Sequence, residues 1–573
     1  MSVNFRWGRF ASWCRKNGLF CAIVSWIFLA IIAYTLLSAI WGDGHGWNRV
    51  LTGWHIGATH DPLDRIKVTL TALGGVGAVG YLVIKYRERS ALERGEADEK
   101  LVRSVQQLGD PSPQVRIAGV YALADVADTY KGPYHQRVVD ILCGYLRTDR
   151  LLKDTNGDTR YATNEDGTPN PDQPLSTDGA VESTILFVLT NHLHLSRKYN
   201  NSEENSAGPW SHCYLDLHDA YITETAVFMN VYIGEINASR ARFSKKIAFV
   251  ECTFTQAASF QGTKFTQNTN FQRTTFGWTT SFDDAEFKGD VDFQGTTFGL
   301  VSFMNTTFKG GANFGAKLTE KGAHFELEAN FQDATFMRDA NFGARIVGPQ
   351  PNGSIFEDSA HFNGCTFKSR AIFHGTAFKR DANFGSGIWS SNDSRWLGEG
   401  ATFKGPALFN YATFETGNFQ GTVFEGRADF REAKFAQDAK FGGNPLTEST
   451  TIFLQRADFE TTHFAQEADF AGDEHSGSTV FKMEAFFRHA TFDKMPDFHN
   501  THFNINLKST DQITLPSNLK QNDGLPEGSQ WANFEDEDSA VSADRHHQGS
   551  SEKPNCPEDA DNVEDSDQRD EVG

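Results

Sequence analysis

Along the middle of the chain one apolar position recurs at a spacing that neither a helix nor an ordinary strand produces. From Phe243 to Phe503, Phe returns in steps that alternate six and five, at 243, 249, 254, 260, 265, 271 and onward. Two residues before most of these Phe stands a small residue, as at Ala258, Ala285, Ala312, Ala340, Ala428 and Ala457, with Thr or Cys elsewhere. A period of 3.6 does not fit, and a period of two fails because no run alternates for long. The pattern predicts a chain that bends at short intervals and points one large and one small residue inward on each side. Successive coils then stack with parallel backbones about 4.8 Å apart. The rings fill such a tube, so the Phe are structural rather than a ligand box.

Ahead of this ladder the pattern is different. Residues 19–41 run without a charge, long enough at about 1.5 Å per residue to cross a hydrocarbon core of about 30 Å. A second, shorter and Gly-rich apolar stretch occupies residues 66–86. Both are expected to be transmembrane helices. Gly75, Gly77 and Gly80 have the spacing of a dinucleotide loop, but no βαβ unit surrounds them. The flank at 1–18 holds Arg6, Arg9, Arg15 and Lys16 and no acid, whereas the connector at 42–65 holds three Asp. Positive residues stay inside. The expected location is therefore the plasma membrane, multi-pass, with both termini cytoplasmic and the connector external.

Residues 88–200 form a helical neck. Pro111 and Pro113 precede a stripe of Val115, Gly119, Ala122, Leu123 and Val126, and Val138, Ile141, Leu142, Tyr145 and Leu146 make a matching one. These two helices are expected to pack as an antiparallel hairpin, with a third helix over 181–195. Residues 153–178 are polar and read as a loop or hairpin. Asp154, Asn156, Asp158 and Glu165 sit there at calcium-loop positions, but Thr159 stands where the turn wants Gly. His192 and His194 have no third partner in the sequence, which favours a surface role over a metal.

Composition sharpens this. The 573 residues carry a net charge of −21, and 42 of the 49 Phe lie between Phe243 and Phe503. Seven scattered Cys without CxxC spacing read as unpaired thiols of a reducing compartment. After Gln530 there are 14 acidic residues against three basic ones, so 504–573 is expected to be a disordered acidic tail.

The units A312-N313-F314, A340-N341-F342, A382-N383-F384, A428-D429-F430 and A457-D458-F459 resemble those of the pentapeptide-repeat family. The extra residue in alternate steps is similar to a variant found in bacterial membrane proteins. The resemblance implies a mainly β fold over residues 212–503, a right-handed, four-sided β-helix, and it implies no enzyme activity. No catalytic residue, cofactor or metal site is expected.

Five gaps break the ladder, between Phe314 and Phe325, Phe342 and Phe356, Phe384 and Phe403, Phe441 and Phe453, and Phe470 and Phe481. Each follows and precedes a six-step, so each replaces a five-step and leaves the interior in phase. On a four-sided tube the first two loops should share one side and the last three the opposite side. In solenoids such insertions often mark the binding face. The largest carries Trp389, Asp393, Arg395 and Trp396, residue types enriched at interface hot spots. The expected function is a membrane-anchored cytoplasmic protein-interaction scaffold. Its expected partners are the lipid bilayer through two helices, an unidentified protein, and a second copy through an open solenoid end. Nucleic acid is not expected. The alternative is a DNA-mimic inhibitor of a topoisomerase, which needs dense negative charge along the rod. Between Phe243 and Phe503 there are 31 acidic and 24 basic residues, a mild excess.

Overall fold

The six-and-five rhythm has a direct backbone cause. In the computed structural model each five-step holds a four-residue turn in which the Phe carbonyl accepts the N–H three residues on, as in Thr263 to Phe260 at 3.1 Å and Ala285 to Phe282 at 3.0 Å. The third turn residue is left-handed, with φ of 64° at Gly262, 54° at Arg273 and 58° at Asp284, the geometry of a type II turn. The six-step is an open three-residue bend whose N–H groups donate to the coil before, as Lys288 N does to Phe265 O at 2.8 Å. In two coils the bend shortens to two residues, Gly299–Leu300 and Glu415–Thr416.

The structure describes residues 62–194, 207–316, 321–344, 353–391, 394–444, 446–472, 477–508, 510, 512–517 and 519–534, with Phe28 and Ile32. Two compact units divide the chain at Arg103 and Ser104. In the first, helix α1 (Pro62–Leu108) begins, and its last turn belongs to the second. The expected span 19–41 lies outside the described residues apart from Phe28 and Ile32. Over 66–86 the structure supplies a helix, but one that continues without a break into the charged residues beyond Tyr86. Among the described residues no helix is long and apolar enough to cross a membrane. Gly75, Gly77 and Gly80 lie inside α1, not at a strand-to-helix turn.

Helices α2 (Pro113–Tyr130), α3 (Pro133–Leu146) and α4 (Gly179–Leu193) form the neck, with the hairpin β1 (Tyr161–Thr163) and β2 (Pro169–Pro174) between α3 and α4. Gly119 permits the closest helix contact, since a Cβ there would lie 2.7 Å from Leu108 N. Asp154 Oδ1 is occupied by the N–H groups of Asn156 and Asp158, so the polar segment holds a turn. His192 stacks on the buried Trp210 at 4.0 Å and its Nε2 lies 3.0 Å from Asp128.

The solenoid has four faces. Face 1 is a 13-stranded stack from Tyr221–Ile222 to Gln530–Ala532, and face 2 a 12-stranded stack from Ala226–Met229 to Ile513–Thr514. Face 3 runs from Tyr232–Ile233 to Thr491–Phe492 and face 4 from Tyr214–Asp216 to Ala468–Asp469. The long strands Ala377–Asn383 and Thr413–Asn418 join these last two into one 20-stranded sheet. Pairing is parallel with Phe above Phe, as Phe254, Phe276 and Phe298 show. Rings stack at 4.6 Å for Phe265 and Phe287 and 4.7 Å for Phe314 and Phe342, and meet edge-on across the tube, as Phe419 and Phe430 do at 88°.

Small residues fill what the rings leave. Where Thr replaces Ala after a turn, its hydroxyl donates to a carbonyl of the preceding coil, as Thr462 to Phe430 O at 2.8 Å and Thr501 to Phe470 O at 2.8 Å. Thiols take the same place. Cys365 Sγ donates to Phe331 O at 2.8 Å, and burial pushes the Cys252 thiol up to about 12. The Asn or Asp beside each Phe caps the next corner: Asn270 Oδ1 accepts Gln272 N at 2.8 Å and Asn418 Oδ1 accepts Gln420 N at 3.0 Å. These amides also bond to one another along the stack, Asn341 Nδ2 to Asn313 Oδ1 at 2.9 Å.

The neck covers the first coil. The Gln136 amide both donates to Tyr214 O and accepts from Tyr214 N at 2.9 Å, as a neighbouring strand would. Glu182, fully buried, pairs with Arg150 and accepts the N–H groups of Thr223 and Glu224 at 2.6 and 2.8 Å, while Arg150 donates to Tyr221 O at 2.7 Å. At the other end the stack does not stop at Phe503. Ile513 pairs with Ala485 and Trp531 with Phe503, so residues up to Phe534 belong to the fold, because Trp and Ile there continue the inward apolar positions. The rest of the expected tail, 535–573, lies outside the described residues.

Two outcomes follow. Phe430→Ala should lower stability by about 3–5 kcal/mol and Phe430→Leu by under about 1.5 kcal/mol, read from urea denaturation. Glu182→Gln leaves the Arg150 charge buried without its partner and should cost about 3–5 kcal/mol, with amide exchange rising first at Tyr221–Glu224.

Candidate functional site: the insertion-loop corner

The insertions fall on two opposite corners. Residues 315–323 and 343–354 join face 2 to face 3, where Ala316 bridges Ala344 in parallel. Residues 384–401, 441–450 and 470–478 all join face 4 to face 1. Both corners are of the type II turn kind.

The first loop of the triple corner is a hairpin, Gly387–Ser391 against Ser394–Gly398, in antiparallel register. Trp389 pairs directly with Trp396, and Arg395 pairs with Ser390, one position farther along. Asp393 lies outside the described residues.

Sequence reading missed the base that ties the loops together. Asn444, in the second loop, donates through Nδ2 to Ser386 O at 2.6 Å and accepts Leu446 N at 2.9 Å. Ser386 Oγ in turn meets Thr447 Oγ1 at 2.7 Å and Ser449 Oγ at 2.5 Å. Gly421, in the turn of the coil between these loops, donates its N–H to Thr451 Oγ1 at 2.9 Å. The two insertions thus share a hydroxyl and amide network at the wall. Their one legible signal was a concentration of Ser, Thr and Asn at equivalent phases of two gaps, Gly-Ser386 and Asn444-Pro-Leu-Thr447.

Among the described residues no group of three or more His, Cys, Asp or Glu has the arrangement to hold a metal ion. A groove of 480 Å³ lies along face 2 and its corner with face 1, lined by Asn270, Asp292, Asn313 and Asn341. Those side chains are engaged in corner capping and in the amide ladder.

A family model described as pentapeptide repeats, in nine copies, matches residues 271–316 and 399–443. No curated protein and no solved structure matches the chain. The matched segments coincide with uninterrupted coils whose A(N/D)F units carry the stacked rings, the inward Ala and the capping amide, and residues 271–316 and 399–443 of the solenoid are thus pentapeptide repeats.

Proposed function

We propose that the protein is a membrane-anchored, non-catalytic scaffold at the plasma membrane. Its solenoid stands on the cytoplasmic side and presents the triple-loop corner to a protein partner. The observation that carries the scaffold reading is the placement of three of five insertions on one corner, two of them tied at the base, with a Trp pair heading the largest. An insertion tolerated only as slack has no reason to share a hydrogen-bond network with its neighbour.

Anchoring is supported by the surface of α1. Val79, Tyr81, Leu82, Val83, Ile84 and Tyr86 are all exposed, between 49% and 76%. At 100° per residue these positions cover every side of the helix, and a helix apolar all round is a buried or membrane-inserted one rather than an amphipathic surface helix. Lys85, Arg87 and Arg89 follow, as expected on the cytoplasmic side of a span. A homodimer would form through the C-terminal end of the stack, because Gln136 occupies the N-terminal edge.

The test compares the full chain with a variant in which 387–398 is replaced by a native type II corner, after crosslinking in native membranes. The partner recovered with the intact chain should fall at least tenfold with the variant, and Trp396→Ala alone should weaken it by more than about fivefold, a change of over 1 kcal/mol. Equal recovery removes the corner from the reading. Independently, the full chain should stay in the pellet on alkaline carbonate extraction, and its release would remove the anchor.

A further inference from the structure

The four corners of the solenoid differ in charge. Ten of the twelve connections from face 1 to face 2 are the bends 244–246, 266–268, 288–290, 309–311, 337–339, 368–370, 404–406, 425–427, 454–456 and 482–484, one above another in successive coils; the end connections 223–225 and 505–512 hold Glu224, Lys508 and Asp511. The ten bends hold eleven Lys and Arg against four acidic residues, a net +7. The diagonally opposite bends, from 255–257 to 493–496, hold three basic residues against nine acidic ones, a net −6. A solenoid of net −7 thus sorts its charge by corner.

Part of the ridge is paired locally, Lys245 with Glu224, Lys288 with Asp172, Lys309 with Glu286, Arg370 with Asp339 and Lys404 with Glu425. Two buried carboxylates, Asp429 and Asp458, are bracketed by Arg427, Arg431 and Arg456, with Arg431 forked on Asp429 at 2.7 and 2.9 Å. Lys246, Arg338 and Lys368 have no ion pair among the described residues. Counting the two end connections and the outward strand residues on both flanks, Arg242, Lys264 and Glu286 on one and Asp292, Asp429 and Asp458 on the other, the strip keeps a net +4.

Its match is in the same chain. The described residues end at Phe534, whose ring lies 5.6 Å from Lys482 Nζ, the basic residue in the last of the ten bends. Glu535, Asp536, Glu537 and Asp538 follow at once, and residues 535–573 carry 14 acidic against three basic residues, a net −11. Nine coil steps at about 4.8 Å make a ridge of about 43 Å, and 39 residues reach up to about 130 Å when extended. We propose that residues 535–573 run back along the face 1 to face 2 corner and bind it electrostatically, covering the ridge intramolecularly. Entry point, sign and reach all agree, and an exposed strip of this kind is screened strongly by salt, with a Debye length of about 10 Å at 0.1 M.

Zero-length carbodiimide crosslinking of the full chain at low ionic strength tests this. Carboxylates of 535–571 should join Lys368 and Lys404 at least tenfold more often than Lys434 and Lys440, which lie on faces 3 and 4, and the excess should vanish near 0.5 M NaCl. Even distribution among these lysines overturns the proposal. A mixture of isotope-labelled and unlabelled chains separates the chain's own tail from a second copy's, and mixed crosslinks overturn the intramolecular contact. Ending the chain at Phe534 should raise acetylation of Lys368 and Lys404 severalfold while leaving Lys434 unchanged. Protection of those lysines that appears only on adding phosphatidylserine vesicles, with no tail crosslinks, would assign the ridge to a bilayer instead and overturn the proposal.

Discussion

Every feature of this solenoid depends on one constraint: each coil must satisfy its backbone on the coils above and below while its Phe rings lie flat on theirs. The two requirements share one spacing. Parallel strands sit about 4.8 Å apart, and stacked rings here lie at 4.3 Å for Phe325 and Phe356 and 4.9 Å for Phe342 and Phe373. A ring is therefore the side chain that fills the tube without forcing strands apart or leaving a void. Rings of opposite faces meet edge-on across the tube, as Phe342 and Phe362 do at 88°, an arrangement worth about 0.5–1.5 kcal/mol beyond the area buried.

That constraint divides the residues by role. Inward positions are Phe or small, and the small ones become Thr or Cys where a carbonyl of the preceding coil can be bonded, as with Thr263 and Ala238 O at 2.7 Å. Outward positions are free except beside the turns, where Asn or Asp caps the corner. Left-handed φ at Thr461 and Tyr411, 61° and 60°, shows that the corner geometry is imposed by the stack even on residues that disfavour it. The wall is rigid, the corners admit insertions, and the outward bends carry charge without affecting the core.

The ends need separate solutions because a stacked sheet leaves unpaired edges that invite further pairing. The neck supplies one through Gln136 and the buried Arg150 and Glu182 pair, which ties α3 and α4 to the first turn of the wall. At the other end residues 513–534 continue the stack with Ile513 and Trp531, and the edge lies at Gln530–Ala532. This extension escaped the Phe count, since residues between Phe503 and Trp531 break the period and the inward places pass to other apolar side chains.

What the sequence determined by itself was the interior. A ring every five or six residues, with Ala, Thr or Cys two places before, admits one packing, and the gaps kept that phase, so the assignment of two loops to one corner and three to the opposite corner could be read from step counts alone. The amphipathic stripes of α2 and α3 were legible for the same reason: burial imposes a period. What only the tertiary structure decided lies outside the core, where nothing imposes a period. The Ser386 and Asn444 network joins residues 58 apart in sequence, Trp389 stands opposite Trp396 only through the hairpin's backbone register, and Gln136 reaches Tyr214 from a helix of the neck. The charge of each corner depends on which bends become neighbours, a property of coil-on-coil stacking that no single segment carries.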